Sequence, residues 1–468
     1  MHFSDQVATL EVALDLAMKE LRMPTVRHWT GREANALRAA SRMSIRGFAE
    51  HLGVGVRTVA KWQARGADVT LRPAMQSVLD TALDRADPDT QARFELLTRP
   101  GSPAATTTPD QRLVLSSARW QPHSTETLGR FMFDHRELDA GTASQLANDW
   151  RVVEPPQIVE VRAGRRIGER LAQLVIERAD TLRRMDDFLG GGDLHDLVRR
   201  ELHATIDMVR DASYTEQTGR SLLTAVGELA HLAGWVASDA GLYQQAERYY
   251  LGGMAAAHAA QDEPLAANLL SSLAYQVANI GDPRDAVLLA SSACNGGAPY
   301  ATPTTRALLL ERVAWANARL GDTSAMERAL GEVETAFADS DPSEDPPWVY
   351  WLNQNEIDVM AGRCFTQLKR PRQAITLLST AISQYDDTHA RELALYLSWL
   401  AEAHVYAEQI EEAATYALRA LRLSAGVTSE RGTSRMRLIR HLLTPYRGNP
   451  TADTFEEAAQ ASLNADQG

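Results

Sequence analysis

The sequence predicts an all-α protein in two parts: a small basic domain near the amino terminus and a long array of repeated helix pairs. Apolar residues recur at helical spacing through most of the 468 residues. A turn motif returns about every 40 residues in the second half, which indicates stacked repeats. The segment 98–110 contains three prolines and four threonines, so it is expected to be a linker.

These patterns divide the chain into four parts, because 468 residues exceed what one hydrophobic core usually holds. We expect a basic helical domain at 1–97, a linker with a weakly patterned connector at 98–163, a helical repeat domain at 164–445 and a carboxy-terminal tail at 446–468. The connector is the part whose structure the sequence predicts least.

The charge of the chain is unevenly distributed. The formal net charge is −13, yet residues 21–75 contain ten Arg or Lys and only three acidic residues. Phosphate binding depends on the local field rather than on the net charge. The basic window therefore favours contact with nucleic acid, in spite of the acidic whole.

Several classes of site and of location are not expected. The only cysteines, Cys294 and Cys364, form neither a metal-ligand spacing nor a disulfide framework. No metallopeptidase, phosphate-loop or nucleophile-elbow motif occurs, so we expect no catalytic residues, no metal and no cofactor. The sequence lacks a secretory leader and a long apolar span, so we expect a cytoplasmic, nucleoid-associated protein without membrane contact.

Start and stop signals of short helices follow one another in the basic domain. Ser44 is placed to cap a helix that ends near Leu52, and Gly53 lies where a sharp turn needs a positive φ. A second helix is expected over Val56–Arg65 and ends at Gly66. The pattern therefore predicts two short helices joined by a tight turn.

Two further helices are expected to flank this pair. Thr30 can cap a helix over Gly31–Arg42, and Leu71–Ala86 has helical spacing. The inward positions of the central pair would share one compact core. They are Phe48, Ala49, Leu52, Val54, Val59 and Trp62.

The second helix of the pair presents a basic face. Arg57, Lys61 and Arg65 are four residues apart and so lie on one side. Such a helix fits the major groove of double-stranded DNA, where arginine can bond guanine and threonine can contact the thymine methyl group. The expected DNA-binding residues are Arg42, Ser44, Arg46, Arg57, Thr58, Lys61, Arg65 and Arg72.

The segment from about 30 to 97 resembles the helix-turn-helix regulators of the lambda-repressor-like class. The matching residues are Phe48-Ala49, Leu52-Gly53-Val54, Arg57-Thr58-Val59 and Lys61-Trp62. Ile45 stands where the class often has a glutamine that contacts DNA, and Gly55 replaces the usual Ser or Thr cap. The resemblance implies a sequence-specific regulator whose single domain binds weakly; a packed helical hairpin is the alternative.

The second half repeats a helix–turn–helix unit with a period near 40. The turn anchors are Gly241–Ala246, Gly281–Ala286, Gly321–Met326, Lys369–Ala374 and Glu408–Ala413, and their last residues are spaced 40, 40, 48 and 39 apart. A small residue stands seven positions before each anchor: Gly234, Ala274, Ala314, Gly362 and Ala401. Small residues at these points would let the paired helices approach closely.

These units resemble tetratricopeptide repeats with a lengthened period. The resemblance implies a superhelix whose concave face is lined by the first helix of each repeat. The implied residues are Glu228, His231, Trp235, Asn268, Ser271, Tyr275, Asn279, Glu311, Trp315, Arg319, Glu356, Arg363, Ser398 and Glu402. Such a groove would hold a peptide, a small molecule or a protein partner; ordinary packing between repeats is the alternative for each residue.

The whole layout resembles actinobacterial regulators that place a helix-turn-helix before a tetratricopeptide array. The segments that carry this wider resemblance are Arg166–Glu169, Arg184–Glu201, Leu232–Gly241 and Asp345–Trp351. The resemblance implies a transcription regulator that senses a signal in its repeat domain, and the weak binding expected of one small domain predicts a homodimer. The second hypothesis is a protein–protein adaptor with a vestigial helix-turn-helix, which would not need the basic face of Val56–Arg65.

Overall fold

The computed structural model describes most of the chain as helix. The described residues are 29–41, 43, 45–66, 69, 71–86, 90–91, 94, 119–139, 141–158, 160–162, 164–186, 191–385, 390–424 and 429–465. Helices make up 78% of this part of the chain, and its named strands are two residues long each. The all-α class predicted from the sequence is therefore confirmed.

The chain divides into two compact units. The first spans Met1–Thr106 with Asp139–Thr142, and the second spans Thr107–Leu138 with Ala143–Gly468. The helices described in the first unit are α1 (Gly31–Ala40), α2 (Ile45–His51), α3 (Val56–Arg65) and α4 (Pro73–Asp84).

Helices α1 to α4 follow the sequence signals closely. Thr30 caps α1 in a reciprocal capping box with Glu33, as its position predicts. Gly53 has a φ of 67°, the positive value expected for the turn between α2 and α3. Helix α1 ends at Ala40 with Ser41 as its C-cap, and the predicted last residue, Arg42, lies outside the described residues.

The helices of the first unit close around one core. Phe48, Ala49, Val59 and Trp62 are buried, as expected for the inward face of the α2–α3 pair. A Cβ atom added at Gly31 would lie 2.6 Å from the backbone oxygen of Trp62, so α1 begins where only glycine fits against the end of α3. The core therefore fixes which face of α3 stays outside.

The second unit contains a long succession of helices. They are α5 (Pro122–Met132), α6 (Thr142–Val152), α7 (Glu169–Asp186), α8 (Gly191–Asp211), α9 (Glu216–Asp239), α10 (Tyr243–Ala260), α11 (Glu263–Ile280), α12 (Pro283–Gly297) and α13 (Pro303–Leu320). They continue with α14 (Thr323–Phe337), α15 (Gln354–Gln367), α16 (Pro371–Ile382), α17 (Ala390–Tyr406), α18 (Ile410–Leu423), α19 (Glu430–Leu443) and α20 (Pro450–Ala465).

Two short parallel strand pairs accompany these helices. Arg119–Trp120 pairs with Gln157–Ile158, and Arg165–Arg166 pairs with Ala212–Ser213. Each pair joins segments that flank helices of the second unit, so the pairs tie loops to the helical body.

Two segments of the chain are more ordered than predicted. The weakly patterned connector contains α5 and α6, and the predicted tail contains α20. Helix α5 buries Thr125 and Thr127 beside Leu128, Phe131 and Met132. Because two of these buried residues are polar, the sequence of the helix lacks a purely apolar stripe. Helix α20 packs on α18 and α19 through Phe455. Described helices therefore lie on both sides of the boundaries proposed at 163 and 445.

From α9 onward the helices pack in successive pairs. The pairs are α9 with α10, α11 with α12, α13 with α14, α15 with α16, and α17 with α18. Small residues allow the close approach, as predicted: a Cβ atom at Gly234 would lie 2.5 Å from Tyr250, and one at Gly362 would lie 2.6 Å from Leu378. The first helices of neighbouring pairs also contact one another, so they form one continuous face.

The two ends of this face are joined by a buried ionic cluster. Asp239, at the end of α9, is 2.9 Å from Nη2 of Arg391 on α17 and 3.3 Å from Nε of Arg431 on α19. The hydroxyl of Ser429 donates to Asp239 at 2.9 Å. Arg391 also donates to the carbonyl oxygen of Asp186, at the end of α7, at 2.6 Å. The array therefore curls until its last helices meet its first. We call this ionic contact between the two ends the Asp239 closure.

Candidate functional site

The exposed side of α3 carries the predicted basic face. Arg57, Thr58 and Lys61 are exposed, whereas Val59 and Trp62, on the opposite side, are 3% and 5% exposed. Neither Arg57 nor Lys61 forms an ion pair with a described residue. Their charges are therefore available to an external partner. The backbone of Arg65 ends α3, and its side chain lies outside the described residues.

Further cations of the predicted surface flank this helix in sequence. Arg46 is exposed on α2, and Arg72 is exposed immediately before α4; neither pairs with an acidic group in the described chain. Arg42 and Ser44 lie outside the described residues, so their predicted roles stay predictions. Helix α3 itself begins at Gly55, which offers no side-chain cap. Its free N–H groups add to the positive potential there.

The second unit encloses a cavity of about 980 Å³. Eight of the fourteen predicted groove residues line it: His231, Trp235, Asn268, Tyr275, Glu311, Glu356, Arg363 and Ser398. Helices α9, α11, α13, α15, α17 and α19 all contribute to the wall, so the continuous face of first helices and the cavity are the same surface.

The other six predicted groove residues do not line the cavity. They are Glu228, Ser271, Asn279, Trp315, Arg319 and Glu402. Trp315 Nε1 donates to Asn279 at 3.1 Å, and Arg319 donates to the carbonyl oxygen of Ala278 at 2.8 Å. Ser271 is fully buried, and Glu402 is ion-paired with an arginine of α19. These side chains hold neighbouring helices together, which is the packing alternative.

Several lining residues were not predicted. They are Arg183, Asp186, Arg312, Trp348, Trp351, Tyr385, Arg391, Tyr396, Arg431 and Arg435. Arg312 directly follows the predicted Glu311 on α13, and consecutive helical residues point about 100° apart, so helical spacing from Glu311 does not select it. Arg391 and Arg431 come from the far end of the array and reach the cavity only through the Asp239 closure.

Arginine side chains stack on aromatic rings throughout this region. The guanidinium carbon of Arg312 is 4.5 Å from the ring centre of Tyr275, and that of Arg363 is 4.7 Å from the ring centre of Trp315. The Arg431 guanidinium lies 5.1 Å from Trp235. Cation–π attraction gains strength in such desolvated positions. The cavity is thus both cationic and lined with aromatic rings.

Tyr275 lies at the centre of this positive region. Burial raises the pKa of its phenol, but the charges of Arg363, Arg431 and Arg312 outweigh burial and lower it to about 7. Arg363 Nη2 donates to the phenol oxygen at 2.7 Å. The ring also stacks on Trp235, with the ring centres 6.1 Å apart. The field in the cavity therefore favours negative charge.

The buried carboxyl groups of Glu356 and Glu311 differ in their hydrogen-bond partners. Glu356 accepts hydrogen bonds from the phenols of Tyr385 and Tyr396, the latter at 2.6 Å to Oε2. Glu311 is 1% exposed, and its Oε1 has no hydrogen-bond partner in the described chain. Burial raises the pKa of Glu311 to about 8, against the attraction of Arg312. Glu311 is therefore mostly a neutral acid at pH 7.

Replacing Glu311 by glutamine is expected to flatten the pH dependence of stability. Between its ordinary pKa of 4.5 and its folded pKa of about 8, the folded protein keeps a proton that the unfolded chain releases. The folded state is therefore destabilised as pH rises through this window, by up to about 4 kcal/mol. We expect Glu311→Gln to be more stable than the wild type at pH 8 and close to it at pH 5, as measured by urea unfolding. Parallel profiles for wild type, Glu311→Gln and the exposed-site control Glu334→Gln would contradict the assignment.

Metal-binding clusters and membrane-spanning helices are absent from the described residues. No group of three or more His, Cys, Asp or Glu side chains is placed to hold a metal ion there. No helix in that part of the chain combines the length and the apolar character that a membrane crossing needs. Comparison of the sequence with protein-family models and with curated proteins finds no match.

Proposed function

We propose that this protein is a sequence-specific DNA-binding transcription regulator with a ligand-sensing repeat domain. The observation that carries the proposal is the exposed, unpaired basic face of α3, with Arg57 and Lys61 on a short helix packed against α2. In this proposal α2 and α3 are a helix-turn-helix, and α3 enters the major groove.

The positions of the other cations support this assignment. Arg57 and Thr58 lie in the first turn of α3, where a recognition helix comes nearest the base edges. Arg46 and Arg72 come from neighbouring elements and are suited to phosphate contacts, which set the register on the duplex. Because Ile45 offers no amide to DNA, one domain alone should bind weakly. We therefore propose a homodimer that reads two half-sites.

The second unit supports a sensing role rather than a purely structural one. In this proposal its helix pairs, which recur about every 40 residues and meet at small residues, are tetratricopeptide-like repeats with a lengthened period. A cavity of about 980 Å³ lies at the upper end of the volumes that small-molecule ligands occupy. A ligand there would alter DNA affinity if it bound one arrangement of the dimer more tightly than another.

The experiment that tests the proposal is recovery of genomic fragments by the protein, followed by gel shifts of a recovered fragment over a salt series. Each phosphate neutralised contributes roughly −0.9 to the slope of log affinity against log salt. Four described cations, Arg46, Arg57, Lys61 and Arg72, predict a slope of roughly −3 to −4 per protomer. Folded protein that selects no fragment would refute the proposal and favour the adaptor hypothesis.

A further inference from the structure

One arginine of the cavity wall differs from all the others. Arg312 is 5% exposed, yet its guanidinium has no hydrogen bond and no ion pair with a described residue. Every other arginine that lines the cavity has such a partner in the described chain; Arg183, for example, is 2.9 Å from Glu228, and Arg435 is 2.6 Å from Glu402. The five donors of the Arg312 guanidinium are thus uncommitted.

A buried cation without a partner is costly to keep. Arginine does not lose its proton in proteins, so it cannot escape this cost by becoming neutral. The face of Tyr275, 4.5 Å away, compensates part of the charge, and the ring of Trp351, 6.0 Å away, is more distant. Neither ring accepts a hydrogen bond from the N–H groups, which lie in the plane of the Arg312 guanidinium. An anionic group bound in the cavity would satisfy them.

The rest of the wall constrains the remainder of such a ligand. Trp235, Trp348 and Trp351 line the cavity together with Tyr275, and flat aromatic groups pack well against such rings. The other lining arginines each have a hydrogen-bond or ion-pair partner in the described chain, so Arg312 is the lining guanidinium there whose donors lack an acceptor. A single acid group on the ligand is enough to engage it.

We propose that the cavity binds an organic monoanion, whose carboxylate or sulfonate pairs with the Arg312 guanidinium while its aromatic body packs on the tryptophan and tyrosine rings. The planar fork of arginine matches a planar acid group in two parallel hydrogen bonds. Glu311, neutral at pH 7, stands next to Arg312 in the wall and adds no repulsion. That this anion is the signal of a regulator rests on the proposed function; the binding site does not.

The test uses two probes that differ only in the acid group. These are 8-anilinonaphthalene-1-sulfonate and the neutral N-phenyl-1-naphthylamine, titrated by fluorescence into the full chain. We expect one high-affinity sulfonate site per chain in the wild type. Arg312→Met should weaken sulfonate binding by about tenfold or more, and change the binding of the neutral probe less than about twofold. The control is Arg306→Met, which removes an exposed arginine from the same helix.

Three results would overturn the proposal. One is a wild type without a saturable sulfonate site, and another is equal affinity of Arg312→Met and Arg306→Met for the sulfonate. The third is a marked fall in the melting temperature of ligand-free Arg312→Met, because a buried guanidinium without a hydrogen-bond partner should cost more in desolvation than its ring contacts return. We expect that temperature to be unchanged or higher. Arg312→Lys, which keeps the charge but loses the fork, should be intermediate in affinity.

These titrations contain no DNA, so their outcome is separate from that of the gel shifts. A wild type that binds the sulfonate through Arg312 and selects no DNA fragment would support the site and refute the regulator. A wild type that selects a DNA fragment but does not bind the sulfonate through Arg312 would support the regulator and refute the site.

Discussion

Replacing Arg57 and Lys61 together by alanine is expected to abolish selective DNA binding, with a loss in affinity of about 100-fold or more. A bidentate arginine–guanine contact is worth about 1–3 kcal/mol, and loss of a phosphate contact adds to it. The salt slope should also fall by roughly one for each phosphate contact removed. The measurement is the gel shift of the recovered fragment across the salt series.

The control variant for this experiment has the same change in net charge as the double variant of α3. Arg306→Ala with Arg372→Ala removes two exposed arginines from the second unit. We expect this variant to bind DNA as the wild type does, apart from a small uniform effect of charge. If both double variants bound equally well, α3 would not be the DNA-reading helix. Both pairs are solvent-exposed, so neither replacement should disturb folding.

The elements of the first unit could be predicted because their signals are local. The Thr30 cap, the positive φ of Gly53 and the end of α3 at Gly66 each depend on a few consecutive residues. The buried and exposed faces of α3 follow from helical periodicity alone. What such signals cannot give is which DNA sequence the exposed face would read under the proposed function.

Four of the five repeat turns share one backbone geometry with different residues, whereas Gly281 has a φ of −116°. Gly241 and Gly321 have φ values of 78° and 84°, as glycine readily allows. At the equivalent turns Lys369 and Glu408 adopt 55° and 60° without being glycine. The surrounding helix pair imposes the conformation there. The anchors could therefore be aligned from the small residues of the helices rather than from glycine alone.

The cavity was predicted only in part, because it depends on how the repeats curl. First-helix periodicity places Trp235, Tyr275 and Glu311 correctly on the inner face. It also includes Trp315 and Arg319, which lie in the seams where neighbouring first helices touch. The curvature that separates wall from seam is a property of the whole array. A residue-by-residue transfer of a repeat pattern does not contain it.

Replacing Asp239 by asparagine is expected to cost roughly 3–5 kcal/mol of stability, the usual loss when one partner of a buried ion pair is removed. Asp239 is 4% exposed and faces both Arg391 and Arg431. Asparagine has nearly the same shape as aspartate but no charge, so Arg431 loses the carboxylate of residue 239. Arg391 keeps its contacts with Asp186. The measurement is urea unfolding of the full chain at neutral pH.

The control is Glu327→Gln, which also removes one negative charge from an ion pair. Glu327 and Arg370 are both exposed, and such pairs contribute about 1 kcal/mol or less. Hydrogen exchange separates a local from a global effect: if Asp239 closes the array, the amides of α19 should lose protection before those of α11 in Asp239→Asn. Equal losses of stability in the two variants, with α19 still protected, would mean that the last helices are held by apolar packing alone. The cavity would then owe its shape to the packed helix pairs, and the ions at its rim would be incidental.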